Sequence, residues 1–83
     1  MWRLIPGQSL TQRGWDDEYV VYNDLSGDTH LLGADAMQLL LHLRAGPADE
    51  DAIARALAVE PDEREGLAVM LVELGALSLI ERV

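Results

Sequence analysis

The side chains that could do acid–base chemistry form three short acidic clusters, at residues 16–18, 49–51 and 62–63. A catalytic pair of carboxyl groups needs a cleft in which burial, or the second carboxyl group, separates the two pKa values. These clusters fall in loops or in the first turns of predicted helices, where the positive end of the helix dipole favours negative charge. They therefore indicate solubility and helix starts rather than catalysis.

The candidate nitrogen ligands for a metal ion are the two histidines, His30 and His42. Zinc takes at least three protein ligands held by hydrogen-bonded partners, and no clustered spacing provides them. The absence of cysteine excludes disulfides and thiolates, and the absence of lysine excludes a Schiff base and a P-loop. No serine lies in a Gly-x-Ser-x-Gly sequence. We expect a protein that is not an enzyme, with no metal and no cofactor.

The charge of the chain limits its partners. Six arginines stand against fifteen acidic residues, which gives a formal net charge of −9. Nucleic acids and anionic membranes are both bound through cationic side chains, so neither is expected as a partner. The apolar runs are far shorter than the roughly 20 residues that span a bilayer. The N-terminus also lacks the pattern of a signal peptide, and we expect a cytoplasmic location.

The elements that must position these residues begin with extended segments. Residues 2–5 and Leu10–Trp15 are candidate strands, and Glu18–Asn23 is the clearest because four consecutive residues are β-branched or aromatic. Residues 24–27 supply a turn, since glycine takes positive φ freely and Asp and Ser bond their own backbone. Residues 28–32 return as a partner strand that ends the sheet and leaves an edge open to a peptide.

Helical periodicity begins at Ala34, directly after a single glycine. The first helix stops at Gly46-Pro47, and a second is expected over about 48–58, ended by Pro61. A third begins near Asp62 with Gly75 as its C′ residue, and a short strand follows over 77–81. Val69 and Val72 flank the stripe of the third helix, which could therefore face both the core and a groove. The expected stripes are Ala36, Leu39, Leu40 and Leu43; Ile53, Ala56 and Leu57; and Leu67, Met70, Leu71 and Leu74.

Residues 15–32, WDDEYVVYNDLSGDTHLL, resemble the PqqD family of small chaperones, named for pyrroloquinoline quinone biosynthesis. They are most similar to the branch found beside HPr-kinase-related proteins, called the HPr-rel-A system. Gly46-Pro47, the helix at 53–57 and the segment 74–77 fit the same pattern. The resemblance therefore covers nearly the whole chain.

The resemblance implies one domain over residues 1–83 with a precursor-peptide recognition fold. This fold is α+β and winged helix-turn-helix-like, with a three-stranded antiparallel sheet followed by three helices. It also implies a chaperone or adaptor that binds the leader of a ribosomally made peptide by strand addition and presents it to a modifying enzyme. The peptide would join the third strand and lie against the third helix. The implied peptide-binding residues are Asp28, Thr29, His30, Leu31 and Leu32 on the strand and Leu67, Met70, Leu71 and Leu74 in the groove.

Two other functions stay open at this point. The helix pair over 49–74 has the shape of a winged-helix DNA-binding regulator, although acids at 62, 63 and 65 would repel phosphates. The open edge strand could instead pair with a second copy and form a homodimeric structural module. We therefore expect a monomer or a homodimer.

Overall fold

The computed structural model describes all 83 residues and contains two antiparallel sheets. Its strands are β1 (Trp2–Leu4), β2 (Leu10–Trp15), β3 (Glu18–Asn23), β4 (Thr29–Gly33) and β5 (Ile80–Arg82). The larger sheet has the order β2-β3-β4, so β4 is an edge strand as the sequence predicts. The smaller sheet pairs β1 with β5 and joins the two ends of the chain.

The helices follow the larger sheet and are α1 (Ala34–Arg44), α2 (Glu50–Ala56) and α3 (Arg64–Ala76). A single turn of 3-10 helix, Pro61–Glu63, leads directly into α3. None of these helices combines the length and the apolar character needed to cross a membrane. The predicted succession of a three-stranded sheet and three helices is confirmed, with the smaller sheet added at the chain ends.

Two helix ends differ from the sequence prediction. Helix α2 stops before Ala58, whose φ of 54° is left-handed, and the amide of Val59 bonds the carbonyl of Ala54 at 2.9 Å. This is a Schellman end, and Pro61 starts the next turn rather than breaking α2.

Helix α3 ends in the same way, one turn later than expected. The prediction that Gly75 is its C′ residue is wrong, because the left-handed residue is Ser78, with a φ of 60°. The amide of Leu79 bonds the carbonyl of Leu74 at 3.1 Å and completes the motif. Gly75 lies inside α3 beside the ring of Trp2, where a methyl group would stand 3.6 Å from that ring.

A single hydrophobic core holds the inner face of the larger sheet against the three helices and β5. Asn23 is the one buried polar residue, and it connects the hairpin to the chain end. Its Nδ2 donates to Gln8 Oε1 at 2.9 Å, and Gln8 Nε2 donates to the carbonyl of Leu79 at 2.7 Å. The large core residues are Val21, Leu32, Met37, Leu39, Leu40, Leu43, Ile53, Leu67, Leu71, Leu74, Leu79 and Ile80.

Candidate functional site

The backbone of β4 has one bonded side and one open side. The amide of Asn23 donates to the carbonyl of Asp28 at 2.8 Å, which places Asp28 on the side that faces β3. Bonded and non-bonded pairs alternate in an antiparallel ladder, so His30 and Leu32 also bond β3. The residues between them direct their N–H and C=O groups to the open edge. These residues are Thr29, Leu31 and Gly33.

The side chains of β4 alternate between two environments. Leu32 is 8% exposed and lies on the core side opposite Tyr19, whereas Leu31 is 65% exposed on the outer face. Thr29 is also exposed, while His30 is half-buried opposite Val21. The alternate side chains that face the core thus anchor the strand, and they leave its open backbone edge uncovered.

A groove of about 680 Å³ lies between β4 and α3, and we call it the β4–α3 groove. The β4 side supplies Leu31, Leu32 and Gly33, and the first turn of α1 supplies Ala34, Asp35 and Ala36. Helix α3 and the residue after it supply the opposite wall, and Asp17 lies at the rim. The residues of that wall are Gly66, Val69, Met70, Glu73, Leu74 and Leu77.

The structure places the site residues expected from the sequence in four different surroundings. Leu31, Leu32, Met70 and Leu74 line the β4–α3 groove. Asp28, Thr29 and His30 belong to the same strand segment but do not line the depression itself. Leu67 faces a second depression, and Leu71, 1% exposed, packs wholly in the core.

Sequence reasoning missed three residues of the α3 wall, Gly66, Glu73 and Leu77. Val69, half exposed at 51%, lines the groove, whereas Val72 lines neither depression. The missed residues follow helical spacing from Val69, three positions before it and four and eight after it. Together with Val69 they form a second stripe on α3 beside the core stripe, and this stripe is the sequence signal that indicates the groove wall.

The second depression adjoins the groove and encloses about 500 Å³. It lies between the first turns of α1, the connection from α2 to α3, and the first half of α3. Asp35, Gly66 and Met70 line both depressions, so the two meet at these residues. The remaining residues of the second depression are Gln38, Leu57, Ala58, Val59, Asp62, Glu63 and Leu67.

Both depressions are negatively charged. Asp17, Asp35 and Glu73 line the groove, and Asp62 and Glu63 join Asp35 around the second depression. No arginine or histidine lines either one. An occupant that carries positive charge is therefore favoured over one that carries negative charge.

Arg64, the first residue of α3, forms ion pairs with the first turn of α2. Arg64 Nη2 donates to Asp51 Oδ1 at 2.6 Å and to Glu50 Oε2 at 3.3 Å, which links α3 to α2. The hydrogen bond from Arg64, together with its positive charge, lowers the pKa of Asp51 below its ordinary value. These bonds hold α3 in place and leave the acidic charge around the depressions uncompensated.

The histidine of β4, His30, is half-buried and leaves one ring nitrogen unpaired. His30 Nε2 is buried and has no hydrogen-bond partner. The structure contains no group of three or more His, Cys, Asp or Glu side chains placed to hold a metal ion. The site presents open backbone groups, apolar side chains and carboxylates.

Comparison with solved structures finds a protein with a similar fold. The structure of TbiB1 in complex with the TbiA(β) leader peptide matches with a TM-score of 0.72 and 21% identity. The match covers 98% of this chain and 96% of the other. The two chains share one fold. Because the match to TbiB1 runs from end to end, the predicted α+β fold is confirmed.

No protein-family profile matches the sequence. Comparison with curated proteins also gives no match.

Proposed function

We propose that this protein is a non-catalytic adaptor that binds the leader of a ribosomally made precursor peptide and presents it to a modifying enzyme in the cytoplasm. The observation that carries the proposal is the open backbone edge of β4 beside the β4–α3 groove. An extended peptide that adds to such an edge gains backbone hydrogen bonds, and pockets for alternate side chains set its register.

The expected contacts follow from the geometry of β4. Backbone groups of Thr29, Leu31 and Gly33 would bond the added strand, because their N–H and C=O groups point outward. Alternate peptide side chains would then contact Val69 and Met70 on the opposite wall. No step of this binding requires a titrating group, a metal ion or a nucleophile.

Two similarities support the proposal. The solved structure of TbiB1, which has the same fold, is a complex with a leader peptide. Residues 15–32 resemble the PqqD family, and we assign the chain to its HPr-rel-A branch as part of this proposal. The winged-helix DNA-binding alternative is disfavoured because Asp62, Glu63 and Glu65 are all exposed at the start of α3.

The proposal is tested by two-dimensional amide NMR of the labelled protein, titrated with synthetic peptides from small open reading frames beside its gene. We expect one peptide to shift the amides of Thr29–Gly33 and of residues 66–77, while its scrambled counterpart shifts none. A folded monomer whose amide signals are shifted by none of the peptides would contradict the proposal. Sedimentation over a concentration series separates that outcome from a homodimer whose β4 edges pair with each other.

The backbone contribution is isolated by two substitutions at one position. Thr29→Pro removes an outward N–H, a change that an edge strand tolerates, and it should lower peptide affinity on the order of tenfold or more. Thr29→Ala keeps the N–H and should bind as the wild type does. Equal binding by a folded Thr29→Pro protein would exclude strand addition at this position.

A further inference from the structure

We propose that the bound peptide continues from the β4–α3 groove across Gly66 into the second depression, where it places an apolar side chain next to a basic one. This inference rests on the proposed function and names the class of leader that the protein selects: one with apolar residues adjoining Arg or Lys. The first step rests on the adjacency of the two depressions, since Asp35, Gly66 and Met70 belong to the walls of both.

In this proposal the peptide passes from one depression to the other over Gly66, which lines both, and we call this point the passage. It lies in the first turn of α3, an element in which glycine is less favourable than every residue except proline. Its φ is not left-handed, and a Cβ atom there would meet nothing within 4 Å. Neither backbone conformation nor packing requires a glycine, and the missing side chain leaves free space at this point.

The walls of the second depression define what it accepts. Leu57, Val59 and Met70 are half-buried and give it apolar walls. The carboxylates of Asp35 and Asp62 make no hydrogen bond or ion pair within the protein, and Glu63 accepts only from the amide of Glu60, at 3.3 Å. An apolar side chain beside a cation satisfies both features, whereas an acidic or phosphorylated segment would be repelled.

One occupant accounts for both depressions. A chain that adds to β4 is extended, advances about 3.3 Å per residue, and leaves the groove beside Gly66 within a few residues. A separate partner in the second depression would have to share Asp35, Gly66 and Met70 with that chain. We therefore assign the depression to the continuation of the same peptide.

The test begins with a phage-displayed library of random linear peptides selected on the wild-type protein. We expect selected peptides to be enriched in Arg or Lys beside apolar residues, with affinity that falls as salt rises. Asp62→Asn should weaken a selected peptide about two- to fivefold. Glu65→Gln removes the same charge from the first turn of α3, three residues away, and Glu65 lines neither depression, so affinity should be unchanged.

The passage is tested with Gly66→Leu and with Glu65→Leu as its matched control. Gly66→Leu should raise the melting temperature, because leucine is the better helix former, and should still weaken the selected peptide on the order of tenfold. Glu65→Leu should not weaken it. If Gly66 had only a structural role, its substitution would not raise the melting temperature and lower the peptide affinity together.

The outcomes separate this inference from the proposed function. Selected peptides without basic residues, or peptides that bind wild type, Asp62→Asn and Gly66→Leu equally, would overturn the inference. If those peptides still require the Thr29 amide, the proposed function stands without the second subsite. A selection that enriches no peptide would overturn both.

Discussion

Leu31 and Leu32 are neighbours in the chain and lie on opposite faces of β4, 65% and 8% exposed respectively. Leu32 fixes the strand to the core, opposite Tyr19 on β3. Leu31 directs its N–H and C=O groups to the open edge. The strand can therefore be rigidly held and still present unpaired backbone groups to a peptide.

Val69 and Val72 provide a matched pair on α3, since both are exposed but only Val69 lines the groove. Val69→Gln should weaken peptide binding on the order of tenfold, because burying a valine is worth about 1.5 kcal/mol. Val72→Gln should bind as wild type does. Isothermal titration measures both, and equal effects of the two changes would place the peptide elsewhere.

Substitutions at Leu71 and Leu77 should separate an effect on folding stability from an effect on peptide binding. Leu71 is 1% exposed, so Leu71→Ala should lower the free energy of unfolding by about 2–5 kcal/mol in urea denaturation. Leu77 is 38% exposed and lines the groove, so Leu77→Ala should mainly reduce peptide affinity. A Leu71→Ala protein of unchanged stability would contradict the assigned core.

Asn23 should stabilise the hairpin that presents β4. Its Oδ1 accepts from the amide of Leu25 at 3.0 Å, and its Nδ2 donates to Gln8. Asn23→Ala leaves these partners unpaired and should cost about 1–3 kcal/mol of unfolding free energy. Ser26→Ala, which removes one exposed hydrogen bond of 3.3 Å to the amide of Asp28, should cost much less. Comparable losses from both changes in urea denaturation would argue against this network.

The Asp51–Arg64 pair predicts a small dependence of stability on pH. The pKa of Asp51 is below its ordinary value of 3.8 in the folded protein, so the pair's contribution is complete above that pH. The contribution is lost as the pH falls through the lowered pKa, when the carboxylate is protonated. Thermal unfolding of wild type and Asp51→Asn should therefore differ slightly at neutral pH and converge in strong acid. A difference that grows in acid would have the wrong sign.

Local patterns predicted much of the fold. The β-branched run of β3, the turn at Gly27 and the change of period at Ala34 depend on neighbouring residues, and each is found where expected. The pairing of β1 with β5 brings Arg3 beside Glu81, 78 positions along the chain, and no local pattern encodes it. The end of α3 was misplaced because Ser78 takes the left-handed conformation that usually favours glycine.

The candidate site was predictable only in part. The edge position of β4 follows from the order of elements, but the faces of Leu31 and Leu32 depend on the register with β3. The second depression needs α1, α3 and the α2–α3 connection in their final places, so residues such as Val59 and Asp62 carry no local signal of it.

Strand addition at β4 is tested most directly by amide hydrogen exchange, with and without a peptide identified by titration. In the free protein the amides of His30 and Leu32, bonded to β3, should exchange slowly, and those of Thr29 and Leu31 should exchange fast. Bound peptide should slow the hydrogen exchange of the Thr29 and Leu31 amides. If the peptide binds and both amides still exchange fast, strand addition at β4 would be contradicted.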